Sequence, residues 1–286
     1  AGVTSAIATK LAIDEFGDKV IPVYFEIDSS HPDNDRFKKQ CEDWYGKEIE
    51  VHRSKKYKDQ FDVIEKTAYV NGPSGARCTL ELKKKVRHEI EKHWNYGGQI
   101  FGFEYAKKEI NRAIRFVEQY PTAKPIFPLI EKKITKPESL HLLEQAGISR
   151  PEMYNLGYKN NNCIGCVKGG AGYWNKIRID FPEHFQRMAD LERKVGRSCI
   201  KDDFLDTLDV NKGHSQKIVM PDCGNFCDIE CRWRTPERVQ CSLHLPLATI
   251  WAEPSENFIF AIFVFFAMWG LGVTNPEKRL WEPSLL

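Results

Sequence analysis

The first thing this sequence lacks is a charge bias: 42 Lys and Arg stand against 40 Asp and Glu in 286 residues, a net of +2. That balance supplies no bulk field for nucleic acid, so partners have to be read from individual sites. The chain also lacks an uncharged run of the roughly 18 to 20 residues that a membrane span needs, since Phe258–Val273 reaches only 16. Three readings of that run stay open: a lone terminal span, a buried or interfacial segment, or sequence not belonging to the parent fold. No secretory signal is read at its start, and several of its nine cysteines sit in short-spaced pairs instead of an even scatter. That does not look like a disulfide framework and reads as metal ligands in a reducing cytoplasm, with no membrane partner expected. The length is enough for a large domain to bury a core unaided.

What is present begins with a small-residue loop, Ala1-Gly2-Val3-Thr4-Ser5, running into an apolar-periodic helix through Ala6, Ile7, Leu11, Ala12, Ile13 and Phe16. Free N–H groups and the positive end of a helix dipole make such a start either an ordinary cap or an anion site. A strand should deliver such a loop and none precedes it, so the first strand is expected to be missing. A buried strand then follows at 19–27, ending in the polar turn Asp28 to Asn34; Asp28 and His31 would lie beside the first loop, while Asp33 and Asn34 read as caps of the next helix. Helices are expected at 35–45, 57–68, 80–94, 106–118, 135–146 and 182–195, and strands at 48–52 and 99–103. This alternation predicts an α/β fold with a mostly parallel open sheet flanked by helices. The basic run Lys83 to Arg87 reads as a solvated helix face or a phosphate contact, and Glu109 with Arg112 as a structural pair.

The densest chemistry lies in Tyr158 to Gly172. Cys163 and Cys166 form a Cys-x-x-Cys, the spacing at which two thiolates of one tight loop reach a single metal or cluster. Cys223 and Cys227, with Cys231 close behind, form a second group able to complete that site. Cys41 and Cys199 stand apart and read as small buried apolar residues. From about Arg232 the composition shifts. The expected organisation is therefore a domain over 1–231 and a tail of uncertain origin over 232–286 that carries the apolar run 258–273.

In combination, these residues resemble the phosphoadenosine-phosphosulfate (PAPS) reductase family of the PP-loop adenine nucleotide α-hydrolases, over roughly Ala1 to Cys227. Ala1 to Ser5 is similar to the last five places of the family's S-G-G-x-D-S, with Ala for one Gly and Thr4 for the Asp. His31-Pro32-Asp33 resembles its E-H-P-D stretch, and Cys78-Thr79-Leu80-Glu81-Leu82-Lys83 its Cys-Cys-x-x-x-Lys, with Thr79 at the second cysteine. Gly102 through Glu109, Arg112 and Ala113 is similar to G-x-x-x-x-E-x-x-R-A, and Phe127–Ile130 with Leu156-Gly157-Tyr158 and Ile164-Gly165-Cys166 to F-P-L-I, x-x-G-Y and I-G-C. In the family the Cys-x-x-Cys begins at the position of Cys166; here it ends there.

The resemblance implies a HUP-type Rossmann-like fold with a cysteine-rich C-terminal extension. It places an adenylyl nucleotide across the sheet, on Gly2, Val3, Thr4, Ser5, Asp28, His31, Lys83, Glu109 and Arg112, with Mg as an accompanying ion. It implies a 4Fe-4S cluster, or zinc in its place, on Cys78, Cys163 and Cys166, with Cys223 or Cys227 as the fourth ligand; Cys227 is the one expected, because Cys223 also resembles the family's nucleophile. Cys223 and Lys83 would then be catalytic in a sulfonucleotide reductase reset by a thioredoxin-type donor. Two alternatives stand beside it: an ATP-dependent adenylating sulfur-transfer enzyme of the DNA phosphorothioation or tRNA thiolation type, which would take a nucleic acid partner, and a non-catalytic nucleotide-binding module.

Overall fold

The computed structural model describes residues 2–72, 75–201, 203–213 and 259–263. In chain order the elements are α1 (Val3–Phe16), β1 (Val20–Phe25), α2 (Asn34–Tyr45), β2 (Glu50–His52), α3 (Gln60–Thr67), α4 (Arg77–Thr79), a π-helical turn (Leu80–Lys84), α5 (Lys85–His93), β3 (Tyr96–Ile100), α6 (Lys107–Gln119), β4 (Pro125–Ile126), α7 (Pro128–Glu131), α8 (Lys136–Gln145), α9 (Glu152–Asn155), α10 (Ala171–Asp180), α11 (Pro182–Val195) and β5 (Ile259–Phe263). The fold is mixed α/β, mostly helical, around one open five-stranded sheet of order β2-β1-β5-β3-β4 in which every pair is parallel.

Most expected elements form because their patterns carry their own start and stop signals. Asp59 caps α3 by accepting from Asp62 N–H at 2.7 Å, and Thr135 with Glu138 makes a reciprocal capping box at α8. Gly46 and Gly196 end α2 and α11 in the left-handed conformation. Two details differ. Asp33 holds the N-cap position of α2 without capping it; its carboxylate instead takes a fork from Arg36 at 2.6 and 2.7 Å and the Glu152 N–H at 2.8 Å, while Arg36 also donates to Ser149 O and Arg150 O. The basic run is not a solvated face, for Lys84 and Arg87 are buried and Arg87 pairs with Glu91 at 2.8 Å beneath the Tyr120 ring.

The largest departure lies in the apolar run at 258–273. Ile259–Phe263 is the middle strand of the sheet, pairing with β1 from Val20↔Phe260 to Val23↔Phe263 and with β3 through Ile100↔Ile262. A parallel strand covered on both faces reads as an unbroken apolar stretch, and periodicity cannot tell it from a buried helix or a short span. Among the described residues no helix is long and apolar enough to cross a membrane.

Helices cover both faces. Val3, Ala8, Ala12, Phe37, Leu129 and Leu143 pack from α1, α2, α7 and α8 on one side; Ile90, Phe101, Phe103, Phe116 and Phe127 pack around α5 and α6 on the other. Ile100 joins the first group and Phe101 the second, the alternation that a strand and its extension impose. A third apolar group lies beyond the carboxyl end of β1. It gathers Ile27, Phe61, Ile64, Trp174, Ile177 and Met188 around the cysteine loop and α3, α10 and α11.

Candidate functional site

Two neighbouring places at the carboxyl edge of the sheet carry the chemistry. The first is the start of α1. Gly2 is the extended N-cap residue and offers no side-chain cap, so the first-turn N–H groups are left to other partners; Val3, Thr4 and Ser5 already lie in the helix and are buried. The loop expected at 1–5 is thus a helical turn from Val3 onward. It sits against the segment leaving β3: a Cβ on Gly102 would lie 2.7 Å from Ser5 Cα and 2.8 Å from its N. Only a glycine lets the two backbones approach this closely.

Around that turn the structure brings Tyr154 and Lys136, which sequence patterns did not single out, and Glu104, whose place just after the strand 99–103 puts it at that strand's carboxyl end. The Tyr154 hydroxyl is held beside the Val3 and Asn161 N–H groups, and burial pushes it far above its ordinary range. Burial also raises the Glu104 carboxyl, against the opposing pull of Lys136, Lys108 and Lys159. Lys136 Nζ donates to Lys159 O and Asn160 Oδ1, both at 2.6 Å. A small recess opens beside Gly2 and Ala6, walled by Tyr24, Phe37, Lys38 and Tyr45. The lysines had no signal beyond ordinary surface charge; the run Asn160-Asn161-Asn162, buried throughout, was the visible hint.

The second place is the cysteine pocket, a narrow apolar recess lined by Ile27, Gln60, Cys78, Leu82, Lys83, Cys163, Cys166 and Val167. Gly165, at φ 75°, reverses the chain between Cys163 and Cys166 so that both sulfurs serve one side of the loop. The loop is fixed from several elements. Ile164 N–H donates to Ser29 O at 2.9 Å, Gln60 Nε2 to Ile164 O at 2.7 Å, and Asn71 Nδ2 to Val167 O at 2.6 Å. The Tyr173 hydroxyl accepts from Cys166 N–H at 2.9 Å and faces Cys163 O. Cys78 arrives on α4, immediately before the π-helical turn that carries Lys83; such turns recur where a helix has been adapted to a site.

All five described cysteines are buried. Cys41 lies in the α1–α2 core, where burial pushes its thiol up to about 12, as expected for an inert apolar filler. Cys199 is likewise buried as its isolated place in the sequence suggested, in the apolar group beyond the carboxyl end of β1. Burial pushes its thiol well up, and the Glu192 carboxylate adds to the effect.

The remaining expected site residues divide. Lys83 joins the cysteines and not the first turn of α1. Asp28 is exposed, with Arg53 Nη1 at 3.9 Å, and the His31 ring accepts from Asp33 N–H and meets the edge of Phe181. Glu109 and Arg112 are buried against each other at 3.6 Å, with the guanidinium 5.0 Å from the Phe103 ring. They form the structural pair that their spacing suggested. Cys223, Cys227 and Cys231 lie outside the described residues.

The two places meet at Tyr24. Its ring walls the pocket beside Gly2, and its hydroxyl, raised by burial, lies within the electrostatic reach of Cys163. Three thiols line one apolar pocket, and among the described residues no group of three or more His, Cys, Asp or Glu side chains is placed to hold a metal ion. No protein-family model, curated protein or solved structure matches the chain.

Proposed function

We propose that this chain is a PAPS reductase-like enzyme of the adenine nucleotide α-hydrolase, HUP-type fold, binding an adenylyl nucleotide at the first turn of α1 and carrying out sulfur chemistry at the cysteine pocket. One observation carries the reading: Cys78, Cys163, Cys166 and Lys83, drawn from two distant stretches, line one pocket beside the turn after β1. The setting supports it. In an open parallel sheet ligands bind outside the carboxyl ends of the strands where the strand order reverses. The first turn of α1 lies there, without a side-chain cap from Gly2, and Lys136 Nζ sits 5.4 Å from the ring of Tyr154, whose hydroxyl meets the Val3 N–H. Backbone N–H groups at a helix start with cations close by suit phosphate.

The cysteines would hold a 4Fe-4S cluster, which supplies positive charge and polarisable sulfur near the substrate when bound. Lys83 orients an anionic group over the pocket. In the reductase reading the Cys223 thiolate attacks the sulfate sulfur of the sulfonucleotide, the S–O bond to the nucleotide phosphate breaks, and the nucleotide leaves. A thioredoxin-type dithiol then attacks the Cys223 sulfur, supplying two electrons; sulfite departs, the donor becomes a disulfide and Cys223 returns to the thiol. The surplus of cysteines outside the pocket favours one second reading, ATP-dependent sulfur transfer to a nucleic acid.

The test is anaerobic purification of the full chain, followed by iron analysis and thermal melting with ATP or with phosphoadenosine phosphosulfate. Iron together with stabilisation by the sulfonucleotide alone is expected of the reductase. Stabilisation by ATP alone would favour the second reading, and a Cys223→Ser variant that still released sulfite would remove the first.

A further inference from the structure

We infer that Asn161 is a positioning residue of the proposed site: it sets Cys163 against the first turn of α1, so that nucleotide bound at that turn is felt in the cysteine loop. The inference rests on the proposed reading of the α1 turn as a nucleotide site and deepens it. The described residues between α9 and α10 form no helix or strand, so regular backbone structure does not place Cys163. Side chains have to do it. The three residues before Cys163 are asparagines, all buried, and buried amides persist where hydrogen bonds hold them.

Asn161 reaches in two directions. Its main-chain N–H faces the Tyr154 hydroxyl of α9, which also faces the Val3 N–H in the first turn of α1. Its Nδ2 donates to Asn34 Oδ1 at 2.6 Å. Asn34 opens α2 and donates in turn, at 3.4 Å, to the Tyr24 hydroxyl, whose ring walls the recess beside Gly2. A second tie lies on the other side of Cys163, where Ile164 N–H donates to Ser29 O at 2.9 Å. Ser29 and Asn34 belong to the same turn after β1, so the stretch carrying Cys163 is clamped to one turn at two points. The tie at Ile164 is backbone to backbone, and only the one at Asn161 can be removed by substitution. Asn160 is held separately, by Lys136 Nζ on its Oδ1 at 2.6 Å, which keeps the start of the loop anchored when the Asn161 amide is lost.

The experiment follows amide hydrogen exchange in the full chain, with and without phosphoadenosine phosphosulfate or ATP, for wild type, Asn161→Ala, Asn34→Ala and Asn34→Asp. Ile164 and Cys166 report on the loop, because their N–H groups are bonded to Ser29 O and the Tyr173 hydroxyl. In wild type, nucleotide is expected to slow exchange at Val3 to Ser5 and, about fivefold or more, at Ile164 and Cys166. Asn161→Ala and Asn34→Ala should keep the slowing at Val3 to Ser5 and lose it at Ile164 and Cys166. Asn34→Asp should restore it, since a carboxylate at position 34 can accept from both Asn161 Nδ2 and the Tyr24 hydroxyl.

An asparagine that only stabilised the loop would speed exchange at Ile164 equally with and without nucleotide when truncated, leaving the ratio of the two rates as in wild type. That result, or no recovery in Asn34→Asp, overturns the assignment. Should the alanine variants fail to fold, wild type and Asn34→Asp decide. Slowing at both stretches in both chains supports the assignment, and slowing at Val3 to Ser5 with Ile164 and Cys166 unchanged overturns it while leaving the nucleotide site standing. Saturating nucleotide that slows neither stretch removes the nucleotide reading and the assignment with it.

Discussion

The first turn of α1 and the cysteine pocket sit side by side at one edge of the sheet, but they are held in opposite ways. The α1 turn is a backbone site. Its position follows from a helix packed on a sheet and from the contact of Ser5 with Gly102, and its polar groups are main-chain N–H groups. The cysteine pocket is a side-chain site on a loop, pinned by Gln60, Asn71 and Tyr173 from three separate stretches of the chain. A backbone site tolerates changes of side chain and fails when backbones are pushed apart. A loop site pinned by buried hydrogen bonds fails one bond at a time, because each lost partner leaves a carbonyl or N–H unsatisfied.

The largest effect that separates them should come from Trp174→Ala. Trp174 is fully buried under the cysteine loop, against Gly165, and its truncation is expected to cost about 3–5 kcal/mol. Urea melts should record the loss, and alkylation should show Cys163 and Cys166 reacting sooner while Cys41 in the α1–α2 core lags behind. Equal acceleration at all three would mean that the two places are one cooperative unit.

Next comes Gly102→Ala, whose new Cβ meets backbone and cannot be relieved by a rotamer change; about 1–3 kcal/mol of strain is expected. This variant should lose nucleotide binding while keeping its iron, and the reverse pattern would sink the division into two sites. Gln60→Ala, of similar or smaller size at about 1–3 kcal/mol, should do the opposite by freeing the Ile164 carbonyl, lowering iron retention with nucleotide-induced stabilisation unchanged.

These contrasts also explain how much was legible beforehand. The α1 side could be read because regular elements announce themselves: the periodic stretch from Ala6 to Phe16, the β-branched strand before Asp28 and the capping pair Thr135 and Glu138 all appear where expected. Cys163 and Cys166 were visible because one tight loop fixes their geometry. Gln60 and Asn71 were not, since nothing local marks a residue whose role is set by a neighbour far away in the chain. β5 stayed hidden for another reason: a strand apolar on both faces carries no period at all, and its partners β1 and β3 lie far upstream. Asp33 shows the same limit in miniature, for position alone suggested a cap while the fold gave it Arg36 and the Glu152 N–H.

That last group gives the smallest expected effect. Burial pulls the Asp33 carboxyl up, but Arg36 and the Glu152 N–H outweigh it and hold the group below its usual range. A depressed carboxyl contributes stability that is present above its unfolded pKa of about 3.9 and lost as pH falls through the folded value. Asp33→Asn should therefore cost about 1 kcal/mol or less at pH 7 and flatten the acid limb of stability below pH 4. Urea midpoints measured from pH 3 to 6 check this, and an unchanged acid limb would show that the α2–α9 link carries no pH dependence.

The most direct test of the nucleotide site is amide hydrogen exchange on the full chain with and without phosphoadenosine phosphosulfate or ATP. Slower exchange at Val3 to Ser5 and at Gly102 to Glu104 is the predicted result, because a phosphate seated at the helix start would close the first turn of α1 to solvent. Saturating nucleotide that left both stretches unchanged while protecting some other part of the chain would contradict it.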